Sequence, residues 1–254
     1  MEKVKLERHK EHQKYLLSDS TQVPGGSTIS KLGDSVEGLI YWAWDLGRQG
    51  KDYRKVSKEA CDVGTLAHFM IEAYLNSFVC DLSDYEQELI DKALVSYAKF
   101  TDWWETQDLQ VVATEIQLVH NAYRYGGTID LIAKRPNGDH VLLDFKTSKK
   151  ISDSYWRQCA GYAALWDISQ PIKECFKSPF RNPHTDSYSR EWKENPITSH
   201  AIVRIGKEEE GDFEVVWRDN LCKEWQVFQK QVDLYWAMQE AKPEPKPRGR
   251  KKKA

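Results

Sequence analysis

The sequence predicts an α/β fold, and three observations carry that prediction. Apolar residues recur at helical spacing between about residues 35 and 104. Short extended runs then fill Val111 to Thr147. Helical spacing returns after Ser152 and alternates with two further strands, the mixture of periods that defines a layered α/β domain.

Each element has its own signal. From Ser35 to about Gly50, Val36, Leu39, Ile40, Ala43 and Trp44 mark one helix. A second runs from about Ser57 to Phe78 and carries Gly64, His68 and Glu72. A third starts at Ser83, where Ser83-x-x-Glu86 reads as a capping box, and continues to about Trp104. Val111–His120 and Tyr123–Lys134 read as strands joined by a tight turn, and Pro136-Asn137-Gly138-Asp139 turns the chain into a strand over His140–Thr147. Ser152 or Asp153 caps a helix to about Trp166. Two strands at 199–205 and 212–217 and an amphipathic helix at about 219–240 complete the pattern.

The organisation that follows is an irregular polar segment over 1–30, with a turn at Pro24-Gly25-Gly26-Ser27, and one domain over 31–241. The domain divides into a helical part (31–108), a sheet core (109–168), a loop insertion (169–197) and closing strands and helix (198–241). Residues 242–254 read as a disordered basic tail.

Composition narrows the function classes. At 254 residues and 40% hydrophobic content, with ten Trp and twelve Tyr, the chain has material for a substantial core. No apolar run is long enough to cross a bilayer, and Met1-Glu2-Lys3-Val4-Lys5 lacks the apolar stretch of a secretory signal, so a cytoplasmic protein with no membrane partner is expected. Cys61, Cys80, Cys159, Cys175 and Cys222 form no C-x-x-C pair, which argues against a zinc ribbon or a disulfide framework. The tail holds seven Lys/Arg and one Glu, while the remaining 241 residues hold 30 basic and 38 acidic side chains, so a +6 tail follows a −8 body. That asymmetry points to polyanion binding.

The chemistry is concentrated in a few residues. Asp130 lies in the apolar run Ile129-Asp130-Leu131-Ile132 after Gly126-Gly127, and Asp144 ends Val141-Leu142-Leu143. A carboxylate in a strand core is expensive unless it is paired or bound to metal. Lys146, two residues on, shares the face of Asp144. Two carboxylates and a lysine can hold a hard divalent cation and steady an attacking water, which suits phosphodiester hydrolysis. Gly64, His68 and Glu72 share one helical stripe, as do Gln158 and Tyr162. The first stripe reads either as close helix packing with an internally bonded histidine or as a ligand-bearing face. The second offers groups that grip a phosphate or a base without adding charge.

Taken in order, G-x-x-x-H-x-x-x-E, G-G-T-I-D, D-F-K and Q-x-x-x-Y resemble the RecB-like and phage exonuclease branch of the PD-(D/E)XK nuclease superfamily over about residues 64–162. The resemblance implies a restriction-endonuclease-like core, with a mixed central β-sheet flanked by helices and an N-terminal helical elaboration. It implies that His68, Asp130, Asp144 and the Phe145 carbonyl ligate a metal, and that Lys146 is the catalytic lysine. By the same resemblance Gln158 and Tyr162, with Arg157 and Lys149 nearby, bind the DNA strand. Glu115 matches an often acidic position with a catalytic, second-metal or structural role, and Glu72 and Gly64 support the site. Mg²⁺ is the implied cofactor, with Mn²⁺ as substitute. Some relatives hold an iron–sulfur cluster through one cysteine before the core and three after it. This chain lacks that set, so no cluster is expected.

The implied activity is a DNA exonuclease for recombination, repair or phage DNA metabolism in a bacterial host. The alternatives are a structure-selective or nicking endonuclease and a non-catalytic DNA-binding subunit. No G-x-x-x-x-G-K-[ST] loop is present, so no nucleotide cofactor is expected. Processivity would then need a homo-oligomer around DNA or a separate helicase or single-strand annealing partner. Pro247-Arg248-Gly249-Arg250 resembles an AT-hook core, which would place Arg248 and Arg250 in a minor groove; a generic phosphate-binding tail is the other reading.

Overall fold

A computed structural model of the chain describes residues 5–6, 14–168, 197–207 and 212–243. The expected loop insertion falls almost wholly on residues 169–196, outside the described residues. Residues 244–254 of the expected tail, Arg248 and Arg250 included, also lie outside them.

A five-stranded mixed sheet forms the centre. Its strands are β5 (Gln110–His120), β6 (Tyr125–Lys134), β7 (His140–Lys146), β8 (Ile197–Ile205) and β9 (Phe213–Arg218), in that spatial order. Neighbours are antiparallel except β7 and β8, which are parallel. A parallel pair needs a crossover, and the helix α5 (Asp153–Ile168) lies in it. The expected hairpin between β6 and β7 is present, with Gly138 at φ +97° supplying the left-handed residue of its turn.

Helices cover both faces. On one side lie α3 (Tyr53–Leu75) and α4 (Gln87–Trp104), whose Ile71 and Phe100 pack on Leu131, Leu143, Phe145 and Val203. On the other side α5 and α6 (Cys222–Glu240) bring Trp156, Leu165, Phe228 and Val232 onto Ile129, Leu142 and Ile202. The alternation of β7 is thereby visible: Val141, Leu143 and Phe145 face α3 and α4, while Leu142 faces α5. The Asp52 side chain caps α3 by accepting the Arg54 amide at 2.9 Å.

Two expectations are corrected. Ser83 does not cap α4. Its hydroxyl bonds Asp81, and the helix starts at Gln87 after an extended Glu86 that makes no side-chain cap. Nor is the whole N-terminal segment irregular. β2 (Tyr15–Leu16) and β3 (Gln22–Val23) form a hairpin, followed by the single turn α1 (Gly26–Ile29) with Ile29 fully buried. The remaining elements are α2 (Glu37–Arg48) and the short parallel pair β1 (Lys5–Leu6) with β4 (Val79–Cys80). Among the described residues no helix is long and apolar enough to cross a membrane.

Candidate metal centre

The site sits where two strands part. The β6–β7 ladder ends at the pair Leu131–Leu143, so Asp130 and Asp144 lie one residue past its end. In place of a ladder bond, the Phe145 amide donates to the Asp130 carboxylate at 2.7 Å. The N-terminal segment occupies the edge of β6 that β7 leaves: the Gly126 amide donates to the Pro24 carbonyl at 3.0 Å, and Gly25 bridges Gly126. Backbone that would otherwise be unpaired is thus satisfied where the strands part.

β5 adds Glu115, which lies between the pairs Thr114–Leu131 and Ile116–Ile129 and therefore opposite Asp130. Its φ of +46° is in the left-handed region, which a non-glycine residue adopts at a cost of about 1–3 kcal/mol. The twist changes the phase of the strand: Ala113 and Ile116 pack into the same cluster, which strict alternation forbids. From above, α3 brings His68 and, one turn on, Glu72. Gly64 permits the approach, because a Cβ there would stand 2.6 Å from the Thr147 hydroxyl at the end of β7.

Ligand atoms of His68, Glu115 and Asp130 all lie within 4.8 Å of one another, and His68 Nδ1 is 3.8 Å from the Asp130 carboxylate. Beside this trio Asp144, almost fully buried, is ion-paired with Lys146. The Lys146 ammonium lies 5.1 Å from the centre of the Tyr155 ring. From α5, the Gln158 amide donates to Asp144 at 3.3 Å and to the Tyr162 hydroxyl at 2.9 Å.

The electrostatics are those of a carboxylate cluster short of cations. Burial raises the Glu72 carboxyl to about 7. Burial, then Asp130, Glu72 and Asp144, push Glu115 well above the carboxylate range. Burial raises Asp130 against the pull of Lys146 and the Phe145 amide. Burial raises Asp144 to about 6 although Lys146 opposes it. Burial works against the Lys146 charge, but Asp144 and Asp130 outweigh it and hold the ammonium above the usual lysine range. Burial and the Lys146 charge lower His68 to about 4, so its imidazole is neutral and able to donate a lone pair at neutral pH. One imidazole, two carboxylates beside it and an excess of negative charge make a donor set that fits a hard divalent cation.

The structure brings His68 and Asp130 into one trio with Glu115 and sets Asp144 beside it, ion-paired with Lys146; of Phe145, the amide bonds Asp130, whereas the resemblance implies its carbonyl as a ligand. Other expected residues serve differently. Gln158 and Tyr162 are 6% and 5% exposed and brace Asp144 from beneath instead of lining an open surface. Arg157 is occupied by the Ser30 carbonyl at 3.0 Å and by Asp34, so it ties down the N-terminal segment. Lys149 is exposed in the turn after β7. Sequence reasoning missed Tyr15, whose hydroxyl is 2.9 Å from that of Thr128 and whose ring lies on Gly126. Glu115 and Asp130 add to burial in keeping that phenol protonated. The glycine pair was the available signal: Gly126 accepts Tyr15 and Gly127 accepts Tyr162, one aromatic ring each. A Cβ at Gly127 would stand 2.4 Å from the Tyr162 ring, which its bond to Gln158 holds in place. Gly127→Ala is therefore expected to destabilise the fold by about 2 kcal/mol or more, read as a lowered melting temperature. An unchanged melting temperature would show that the ring is free to move.

No family model and no curated protein matches the chain. Solved structures similar to it include one titled "Crystal structure of SSO0001", with 13% sequence identity and a TM-score of 0.34. The match covers 63% of this chain and 64%, less than two thirds, of that one. A likeness of this size carries no argument about fold or function.

Proposed function

We propose that the chain is a metal-dependent DNA nuclease of the RecB-like PD-(D/E)XK type, acting as an exonuclease on DNA ends. One observation carries the reading: His68, Glu115 and Asp130 converge within 4.8 Å beside the buried Asp144–Lys146 pair, where the β6–β7 ladder ends. A bound Mg²⁺ or Mn²⁺ would lower the pKa of water and neutralise charge on the scissile phosphate. The chain's own groups do the rest. Gln158 fixes the Asp144 carboxylate, Asp144 fixes Lys146, and the Phe145 amide fixes Asp130. Lys146 keeps a full positive charge in a partly dry site, where it can orient the attacking water or stabilise charge on the pentavalent phosphate. Water adds to phosphorus, the P–O bond to the leaving sugar breaks, and a proton passes to the departing oxygen. DNA is the proposed substrate, and a separate motor or a homo-oligomer is the proposed source of processivity.

The test is digestion of end-labelled linear DNA and closed circular DNA with Mg²⁺, Mn²⁺ or EDTA. Metal-dependent loss of the linear substrate alone is the expected result, and the fate of the label gives polarity. Cutting of the circle would replace exonuclease by endonuclease action. No cleavage with either metal, under conditions where DNA still binds, would overturn the catalytic reading.

A further inference from the structure

Helix α2 projects from the domain and buries only Leu46. Its outer surface is aromatic. Tyr41 and Trp44 are 66% and 54% exposed, with ring centres 5.5 Å apart, and the Arg48 guanidinium lies 4.8 Å from the centre of the Trp44 ring. A second set joins α2 to the start of α3: Trp42 meets Tyr53 edge-on at 6.5 Å, and the Arg54 guanidinium lies 5.7 Å from the Tyr53 ring. Leu39 and Ile40, both exposed, extend the apolar surface between them.

Charge decides what this surface fits. Residues 48–55, the elbow itself, hold Arg48, Lys51, Arg54 and Lys55 against Asp52 alone, and Asp52 is spent on capping α3; further along α3, Lys58 is paired with Asp62 at 2.5 Å. Protein–protein interfaces favour aromatics and Arg but are depleted of Lys, and the elbow adds Lys51 and Lys55 to its rings. Exposed rings interleaved with cations instead match the stacking platforms that hold single-stranded nucleic acid, where bases lie on the rings and phosphates meet the cations. From Tyr53 to His68 along α3 is about 20 Å, the length of about six stacked nucleotides.

We propose that the α2–α3 elbow is a single-strand-binding platform, and that it holds the DNA strand whose end reaches the His68–Glu115–Asp130 site. The identity of the occupant as substrate rests on the nuclease reading above; the binding itself does not. Bases stack on Tyr41, Trp44 and Tyr53 without sequence preference, and Arg48, Lys51, Arg54 and Lys55 neutralise the backbone.

The experiment is fluorescence anisotropy of a labelled 15-nucleotide oligo-dT with the whole chain in EDTA, where no metal-dependent hydrolysis occurs. Tyr41→Ala with Trp44→Ala removes exposed side chains and is expected to weaken binding at least about tenfold while keeping its salt dependence. Arg48→Ala with Lys51→Ala is expected to reduce the slope of log affinity against log salt by about one to two. Binding of wild-type strength by the aromatic variant overturns the platform. So does a wild-type dimer in sedimentation that Trp44→Ala dissociates, since a second copy would then cover the face. Cleavage by the wild-type chain, assayed separately, divides the two readings. Active protein whose aromatic variant binds normally sinks only the platform, and ring-dependent binding without cleavage sinks only the nuclease.

Discussion

Asp144→Asn is expected to lower the rate of metal-dependent DNA cleavage by at least about a thousandfold while leaving the protein folded. The substitution keeps the shape of the side chain, and its amide oxygen can still accept from Gln158. It removes the charge that positions Lys146. Burial already raises the Asp144 carboxyl to about 6, which offsets part of the cost of a neutral residue there, and Asp130 remains as a second partner for the buried Lys146, so a modest loss of stability with the fold retained is expected. Loss of cleavage in a variant that still unfolds cooperatively well above the assay temperature is therefore the signature of a working group and not of a damaged core. Lys146→Gln separates roles further, since the proposed mechanism gives the ammonium to the phosphate and not to the metal: cleavage is expected to fall, while added Mn²⁺ still raises the melting temperature. Cleavage by Asp144→Asn at the wild-type rate would remove Asp144 and Lys146 from the chemistry and leave the site without its nuclease reading.

The parts of this site that could be read from the sequence are those whose signal is local. Asp130 and Asp144 stand out because each interrupts an apolar strand run, and the Pro136–Asp139 turn sets the two strands side by side. Gly64 and His68 were legible as a helical stripe. Glu115 carries the same signal as Asp130, an acid in the apolar run of β5, but alternation alone aims it wrongly; only the φ of +46° turns it toward His68. The roles of Tyr15, Arg157 and Gln158 are not local at all. Tyr15 meets Thr128 across 113 residues, and Arg157 meets Ser30 across 127. A stripe on α5 announces that Gln158 and Tyr162 share a face, but not that the face is pressed beneath a carboxylate. The Ser83 capping box failed for a related reason: Asp81, two residues before, offers the hydroxyl a nearer partner than the helix does.

Without metal, the protein is expected to lose stability as pH rises through the neutral range. A carboxylate whose folded-state pKa is raised stabilises the fold while it stays protonated; that contribution is full below the ordinary carboxylate range and is lost as pH rises through the folded value. Asp144 at about 6 and Glu72 at about 7 set the window, and Glu115 and Asp130 shift the same way. His68 slopes oppositely, because its folded value is depressed to about 4; its contribution is present above about pH 6.5 and is lost as pH falls. Between about pH 6.5 and 7.5 the carboxylates therefore act alone. The melting temperature in EDTA should drop by about 5 °C across that interval, the size that 1–2 kcal/mol produces in a domain of this length. Mn²⁺ should reverse the trend, since it binds the ionised carboxylates and its stabilisation grows as they deprotonate. Glu115→Gln removes one titrating carboxyl, and one anionic ligand, from the trio, and should flatten the EDTA profile and weaken the Mn²⁺ response together. A wild-type profile that is flat with pH and indifferent to Mn²⁺ would mean that the cluster is neither strained by its own charge nor built to hold a cation.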